Sequence, residues 1–141
     1  MPSAALVVRA DAATIWRWLT VPELMNRWMH SIENLRTEDG ASLCQDTILR
    51  FVARGREHTT RVTEFEPERA LSLRSIQGPI TADYRYLIDG TDDPCFVTLS
   101  IDCRATGPAR LIAPLIRIAA WHTDKGQIQR LKSAVELASV C

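Results

Sequence analysis

The sequence predicts an α+β fold, a seven-stranded antiparallel sheet curved around one long C-terminal helix, with a cavity between the two. Three observations predict it. Two short helical patterns stand near the N-terminus behind one short strand. Six strand-like segments follow, with turn residues between them. One extended helical pattern then runs from about Pro108 to Ala138. The links between strands are too short for crossover helices, so neighbours pair antiparallel. A sheet with one wet and one covered face needs a cover. A helix of that span would be roughly 45 Å long and could cross strands that reach about 30 Å.

The first strand is expected at Ala5 to Arg9. Asp11 offers an N-cap, and Ala12, Ile15, Trp16 and Leu19 then fall at helical spacing on one apolar face. Thr20 and Glu23 have the spacing of a capping box, with Pro22 in the first turn of a second helix. That helix buries Leu24, Met25 and Trp28. The remaining strands are expected at Ser31 to Thr37, Thr47 to Ala53, His58 to Phe65, Ala70 to Gln77, Ile80 to Asp89 and Cys95 to Ala105, each followed by turn chemistry.

Alternation assigns the faces. Ile80, Ala82, Tyr84, Tyr86 and Ile88 share one side of their strand. Val97, Leu99, Ile101 and Cys103 share one side of the next, and Leu49 and Phe51 oppose Arg50. Gly107-Pro108 opens the last helix, with Leu111, Leu115, Ile118, Ala119, His122, Lys125, Leu131, Val135 and Ala138 on an approximate stripe. Pro114 should kink or restart it. Its first half, Leu111 to Trp121, is apolar on nearly every side and should border a pocket or a partner. Its second half is ordinarily amphipathic.

Composition excludes several classes. A chain of 141 residues is read as a single domain over 1–141 with room for a real core. Lys+Arg and Asp+Glu both number 17, so there is no electrostatic footprint for nucleic acid or an anionic membrane. The N-terminal apolar stretch is too short for a signal peptide, and no segment reaches transmembrane length. A cytoplasmic location is expected. Cys44, Cys95, Cys103 and Cys141 form no C-x-x-C pair, so they read as reduced structural thiols. No cofactor and no metal site are expected.

The segment Ala13-Thr14-Ile15-Trp16-Arg17-Trp18-Leu19-Thr20-Val21-Pro22-Glu23-Leu24, ending in Trp28, resembles the opening of the START/polyketide-cyclase (SRPBCC) superfamily. So does the strand–turn–strand Arg61-Val62-Thr63-Glu64-Phe65-Glu66-Pro67-Glu68-Arg69-Ala70-Leu71, and so does the late strand ending at Thr106-Gly107-Pro108. The resemblance covers essentially the whole chain and implies the helix-grip fold shared with pollen allergens. It also implies a cavity between the concave sheet face and the last helix. Superfamily members bind lipids, sterols, polyketides and hormones, and some are cyclases, dehydratases or oxygenase subunits. The superfamily supplies no universal catalytic residues, and the His/His/carboxylate spacing of its metal-binding members is not present.

The residues themselves suggest sparse polar groups in an apolar space. His122 shares the Leu115/Ile118 face, where it would orient a ligand carbonyl or shuttle a proton. The alternative is a hydrogen-bonded histidine where the helix turns from apolar to polar. Tyr84 and Tyr86 put hydroxyls on the covered face, for a ligand oxygen or for local bonding in the core. Trp16 and Trp18 cannot face the same way. Core packing is expected for Trp16 and Trp28. Trp121 on the outer helix face hints at a homodimer contact or a gate. Asp83 and Asp102 read as a solvated surface, and His30 and His58 as exposed.

The leading expectation is a binder of a small apolar or aromatic, lipid- or polyketide-like ligand. Its cavity would be lined by Trp28, Leu49, Phe51, Leu73, Tyr84, Tyr86, Leu115, Ile118 and His122. The alternatives are a cyclase/dehydratase-type enzyme with Tyr and His as acid–base groups, and a co-chaperone-like interaction module. No nucleic-acid partner and no integral membrane segment are expected.

Overall fold

In the computed structural model the chain runs β1 (Ser3–Val8), α1 (Ala12–Thr20), α2 (Pro22–Trp28), β2 (Glu33–Thr37), β3 (Ile48–Ala53), β4 (Arg56–Glu66), β5 (Ala70–Gln77), β6 (Ile80–Asp89) and β7 (Cys95–Ala105). A C-terminal helix, α3, follows over 128–138. The structure describes residues 3–29, 32–53, 55–77, 79–105, 107 and 128–138. Expectations placed on His30, Thr106, Pro108, Leu111, Pro114, Leu115, Ile118, Ala119, Trp121, His122, Lys125 and Cys141 lie outside the described residues.

All seven strands form one antiparallel sheet in the order β1-β7-β6-β5-β4-β3-β2. Consecutive strands from β2 to β7 are neighbours, as short turns require. β1 and β2 lie at opposite edges, so the link between them must cross the sheet, and α1 and α2 make that crossing. Ala12, Ile15, Trp18, Leu19, Met25 and Trp28 are the buried residues of the two helices. On the covered face of the sheet, alternation holds along β7, where Cys95, Val97, Leu99, Ile101 and Cys103 are all buried. Two rows cross the sheet centre. Ile101, Tyr84, Leu73 and Val62 form one, and Leu99, Tyr86, Leu71 and Phe65 the other.

Val62 and Phe65 are three residues apart in sequence, so simple alternation would put them on opposite faces. A bulge between Val62 and Glu64 inserts one extra residue and resets the phase. Phe65 thereby reaches Trp16, edge to face at 5.2 Å between ring centres. Glu64 turns outward and takes a two-pronged ion pair from Arg85, at 2.8 and 3.1 Å, with a third bond from the Ser72 hydroxyl. The Arg85 guanidinium holds the Glu64 carboxyl below its usual range, and Ser72 adds to this.

Asp83 and Asp102 do point outward, but they are ion-paired rather than merely solvated. Asp83 bridges Arg74 and Arg104, each at 2.7 Å, and Asp102 lies 3.9 Å from Arg104. His58 is half-buried rather than exposed, because its cross-strand partner Phe51 covers it at 5.6 Å.

The helical pair corrects one expectation and refines another. Trp16 packs against the core as expected but is only partly buried, and Trp18 is the more buried of the two. The Ala12/Ile15/Leu19 stripe faces the sheet, but α2 folds back and closes the flank that holds Trp18. The Thr20/Glu23 capping box does not form. Thr20 is still helical, and its hydroxyl donates back to the Trp16 carbonyl at 2.8 Å. Val21 ends α1 and also starts α2, without a side-chain cap, and Pro22 fills the first turn. The Asp11 cap does form, accepting from the Thr14 N–H at 2.8 Å.

α3 docks through Ile128, Leu131 and Val135, all buried. Its end is tied to the end of β1, where the Arg9 N–H donates to Glu136 at 3.0 Å and Lys132 pairs with the same carboxylate at 2.6 Å. Those two partners, Lys132 first, keep the Glu136 carboxyl below its ordinary value.

Of the described cysteines, Cys95 and Cys103 are buried and Cys44 is exposed, and all three are free thiols. Burial pushes the Cys95 thiol up, and the surrounding carboxylates of Asp11, Asp93, Asp92 and Asp89 push it further. It is a packed structural thiol. Gly90 lets it in: a Cβ there would meet the Cys95 sulfur at 3.3 Å, and the backbone at φ 118° disfavours any side chain.

Candidate functional site

The covered face gathers the sequence-selected residues of the sheet. Leu73 and Tyr84 are direct cross-strand partners, and Tyr86 stands one row along, between Leu71 and Leu99. Leu49 and Phe51 lie on β3. Trp28 comes down from α2 onto Tyr86, edge to face at 6.1 Å, and its indole N–H donates to the Trp18 carbonyl at 2.8 Å. Leu49, Tyr86, Trp28 and Leu73 are closed into the core, whereas Phe51 and Tyr84 remain half-buried. Leu115, Ile118 and His122 lie outside the described residues.

A cavity of about 1040 Å³ opens where the end of α2, the β2/β3 edge and α3 meet. Its described lining is Asn26, Arg27, Trp28 and Met29 from α2 and its end, Ile32 and Glu33, Val52 and Gly55, and Gln129, Arg130, Ser133, Ala134 and Leu137 of α3. Of the sequence-selected residues, Trp28 is in this lining. The helix therefore has two working faces. Ile128, Leu131 and Val135 pack into the core, and the 130/134/137 face borders the cavity. This is the half of the helix expected to be ordinary.

A second cavity, of about 500 Å³, lies beside the α1–α2 junction and the turn after β2. Asn26 borders both cavities. Its side-chain amide acts as one rung of a β-ladder. Nδ2 donates to the Leu35 carbonyl at 2.9 Å, and Oδ1 accepts from the Leu35 N–H at 2.9 Å. Nδ2 also donates to the Pro22 carbonyl at 3.0 Å. β2 is an edge strand, and this clamp satisfies backbone groups that no strand pairs. Asn26→Ala is expected to destabilise the protein by about 1–3 kcal/mol, because both Leu35 groups lose their partner near a buried residue. Chemical denaturation would measure it, and a change under ~0.5 kcal/mol would refute the clamp.

Asn26, Met29 and Ile32 were not selected from the sequence as site residues. The nearest signal was the cluster of Met25, Trp28 and Met29 around a short helix, which reads equally well as core. Among the described residues, no group of three His, Cys, Asp or Glu is placed to hold a metal ion. Among them also, no helix is long and apolar enough to cross a membrane.

The sequence profile described as polyketide cyclase / dehydrase and lipid transport matches residues 3–136. The chain belongs to that family. A ligand-binding or cyclase-type function is what this family carries.

Three solved structures show the same fold. The di-domain ARO/CYC BexL superposes with a TM-score of 0.80 at 19% identity, covering 99% of this chain and 48% of that one. A START superfamily protein from Mycobacterium smegmatis gives 0.74 at 20% identity, covering 97% of each chain. Norcoclaurine synthase from Thalictrum, in complex with a transition-state analogue, gives 0.64 at 19% identity, covering 98% and 94%. At these identities the likeness carries the fold alone. The curated proteins contain no match to the chain.

Proposed function

We propose that the chain binds a small hydrophobic or aromatic ligand, lipid- or polyketide-like, in the half-open cavity between the β2/β3 edge of the sheet, α2 and the C-terminal helix. The observation that carries this reading is the cavity itself. Its volume of about 1040 Å³ stands just above the roughly 300–1,000 Å³ common for small-molecule sites. Trp28, Met29, Ile32, Val52, Ala134 and Leu137 give its lining an apolar wall, facing Asn26, Arg27, Glu33, Gln129, Arg130 and Ser133. That mixture suits burial of an apolar body with sparse orientation.

In this reading Trp28 borders the ligand. Leu49, Phe51, Leu73, Tyr84 and Tyr86 are outside the cavity's described lining, and in this reading they support it from the covered face of the sheet. Leu115, Ile118 and His122 are proposed as further contacts on the sequence pattern alone. The test is native mass spectrometry of the protein as purified from cells, followed by titration with a fluorescent apolar probe. A hydrophobic adduct or saturable probe emission is expected. A mass equal to the bare chain, together with no probe response, would sink the reading.

A further inference from the structure

We propose that the cavity takes an amphipathic anion, an apolar body with one carboxylate or phosphate head, and that Arg27 and Arg130 hold the head. This rests on reading the cavity as a ligand site. The charged groups in its described lining are Arg27, Arg130 and Glu33, an excess of one positive charge beside an apolar wall.

Neither arginine has an ion-pair partner among the described residues. Arg36, Arg50, Arg74, Arg85 and Arg104 on the sheet each pair with a carboxylate; Arg17, Arg56, Arg61 and Arg69 also have no ion pair among the described residues, but they lie outside the cavity's described lining. The other described cation of the same helix, Lys132, is neutralised by Glu136 four residues on. Arg130 has Ala134 at that position.

Arg27 is also pre-positioned. Its guanidinium lies over the Trp18 ring at 5.1 Å, a cation–π contact that restrains the head group without using up its charge. A planar fork of donors fits a carboxylate or a phosphate better than any neutral head. Glu33 can balance one arginine, and the second still favours an incoming negative charge. The apolar wall beside the two forks would house the tail.

The experiment compares decanoate, decyl phosphate and decanol on the full chain by calorimetric titration at neutral pH. At least one anion is expected to bind about tenfold or more tightly than decanol, as a charged hydrogen bond supplies. The ratio of decanoate to decyl phosphate identifies the head group. In the Arg27→Gln/Arg130→Gln double variant that advantage should fall below about threefold.

Equal affinity for all three probes in the parent protein overturns the anion assignment and leaves the apolar site standing. Binding of none overturns both. An anion preference that survives the double variant also overturns the assignment to these two arginines. Arg27→Gln removes a stacking contact on Trp18, so the variants are compared only after circular dichroism shows a native fold. Arg130→Gln alone, on the exposed side of α3, carries the test if the double variant does not fold; it should lower the anion advantage at least threefold, and an unchanged advantage overturns the assignment.

Discussion

Trp28→Ala is expected to destabilise the protein by about 3–5 kcal/mol, a large share of the roughly 5–15 kcal/mol that holds a domain of this kind folded. Three losses act together. The indole is 2% exposed, so its removal leaves a hole between α2 and the sheet. The edge-to-face contact with Tyr86 at 6.1 Å disappears. The bond from the indole N–H to the Trp18 carbonyl at 2.8 Å goes as well, leaving a buried acceptor at the end of α1.

Trp28→Phe separates these terms. It keeps most of the apolar volume and a ring against Tyr86, yet still deprives the Trp18 carbonyl of its donor. Its expected cost is therefore smaller, about 1–3 kcal/mol. Urea unfolding followed by far-UV circular dichroism measures both. If Trp28→Ala changes stability by less than ~1 kcal/mol, the indole does not tie the helical pair to the sheet as its contacts indicate.

Why parts of this arrangement are readable from sequence, and others not, follows from the range of the forces involved. Apart from Leu87 and Phe96, β6 and β7 carry polar residues at every second position, so period-two alternation assigns Tyr86, Leu99 and Ile101 to the covered face. Phe65 was not assignable in that way, because a single bulged residue upstream reverses the phase and no local signal marks it. The burial of Trp18 was not assignable for a tertiary reason: helical spacing defines the stripe facing the sheet, but α2 covers a second flank of α1. The missing capping box is a local competition, won by the bond from the Thr20 hydroxyl to the Trp16 carbonyl.

The site divides along the same line. Trp28 stood out through its size and position. The remaining walls come from α2, the β2/β3 edge and α3, segments separated by up to about a hundred residues. No periodicity brings Arg27 and Arg130 to one place; only the docking of α3 beside α2 does.

That docking makes α3 the other sensitive point. Leu131→Asp is expected to cost at least about 5 kcal/mol, enough to leave little folded protein. Leu131 has no exposed surface and sits between Ile128 and Val135 on the face that meets the core. A carboxylate there both deletes the leucine packing and must either lose its hydration or force the helix off the sheet. Undocking would also release the tie of Glu136 to the Arg9 N–H at the end of β1.

Leu137→Asp is the matched control on the same helix. Leu137 is 69% exposed, so the identical change of chemistry is expected to move stability by no more than ~0.5 kcal/mol. Soluble yield and denaturation midpoints of the two variants, measured side by side, decide the matter. Similar losses in both would mean that α3 is sensitive to any carboxylate on it. A loss confined to Leu131→Asp would show that the buried face alone anchors the helix, leaving the 130/134/137 face free to border the cavity.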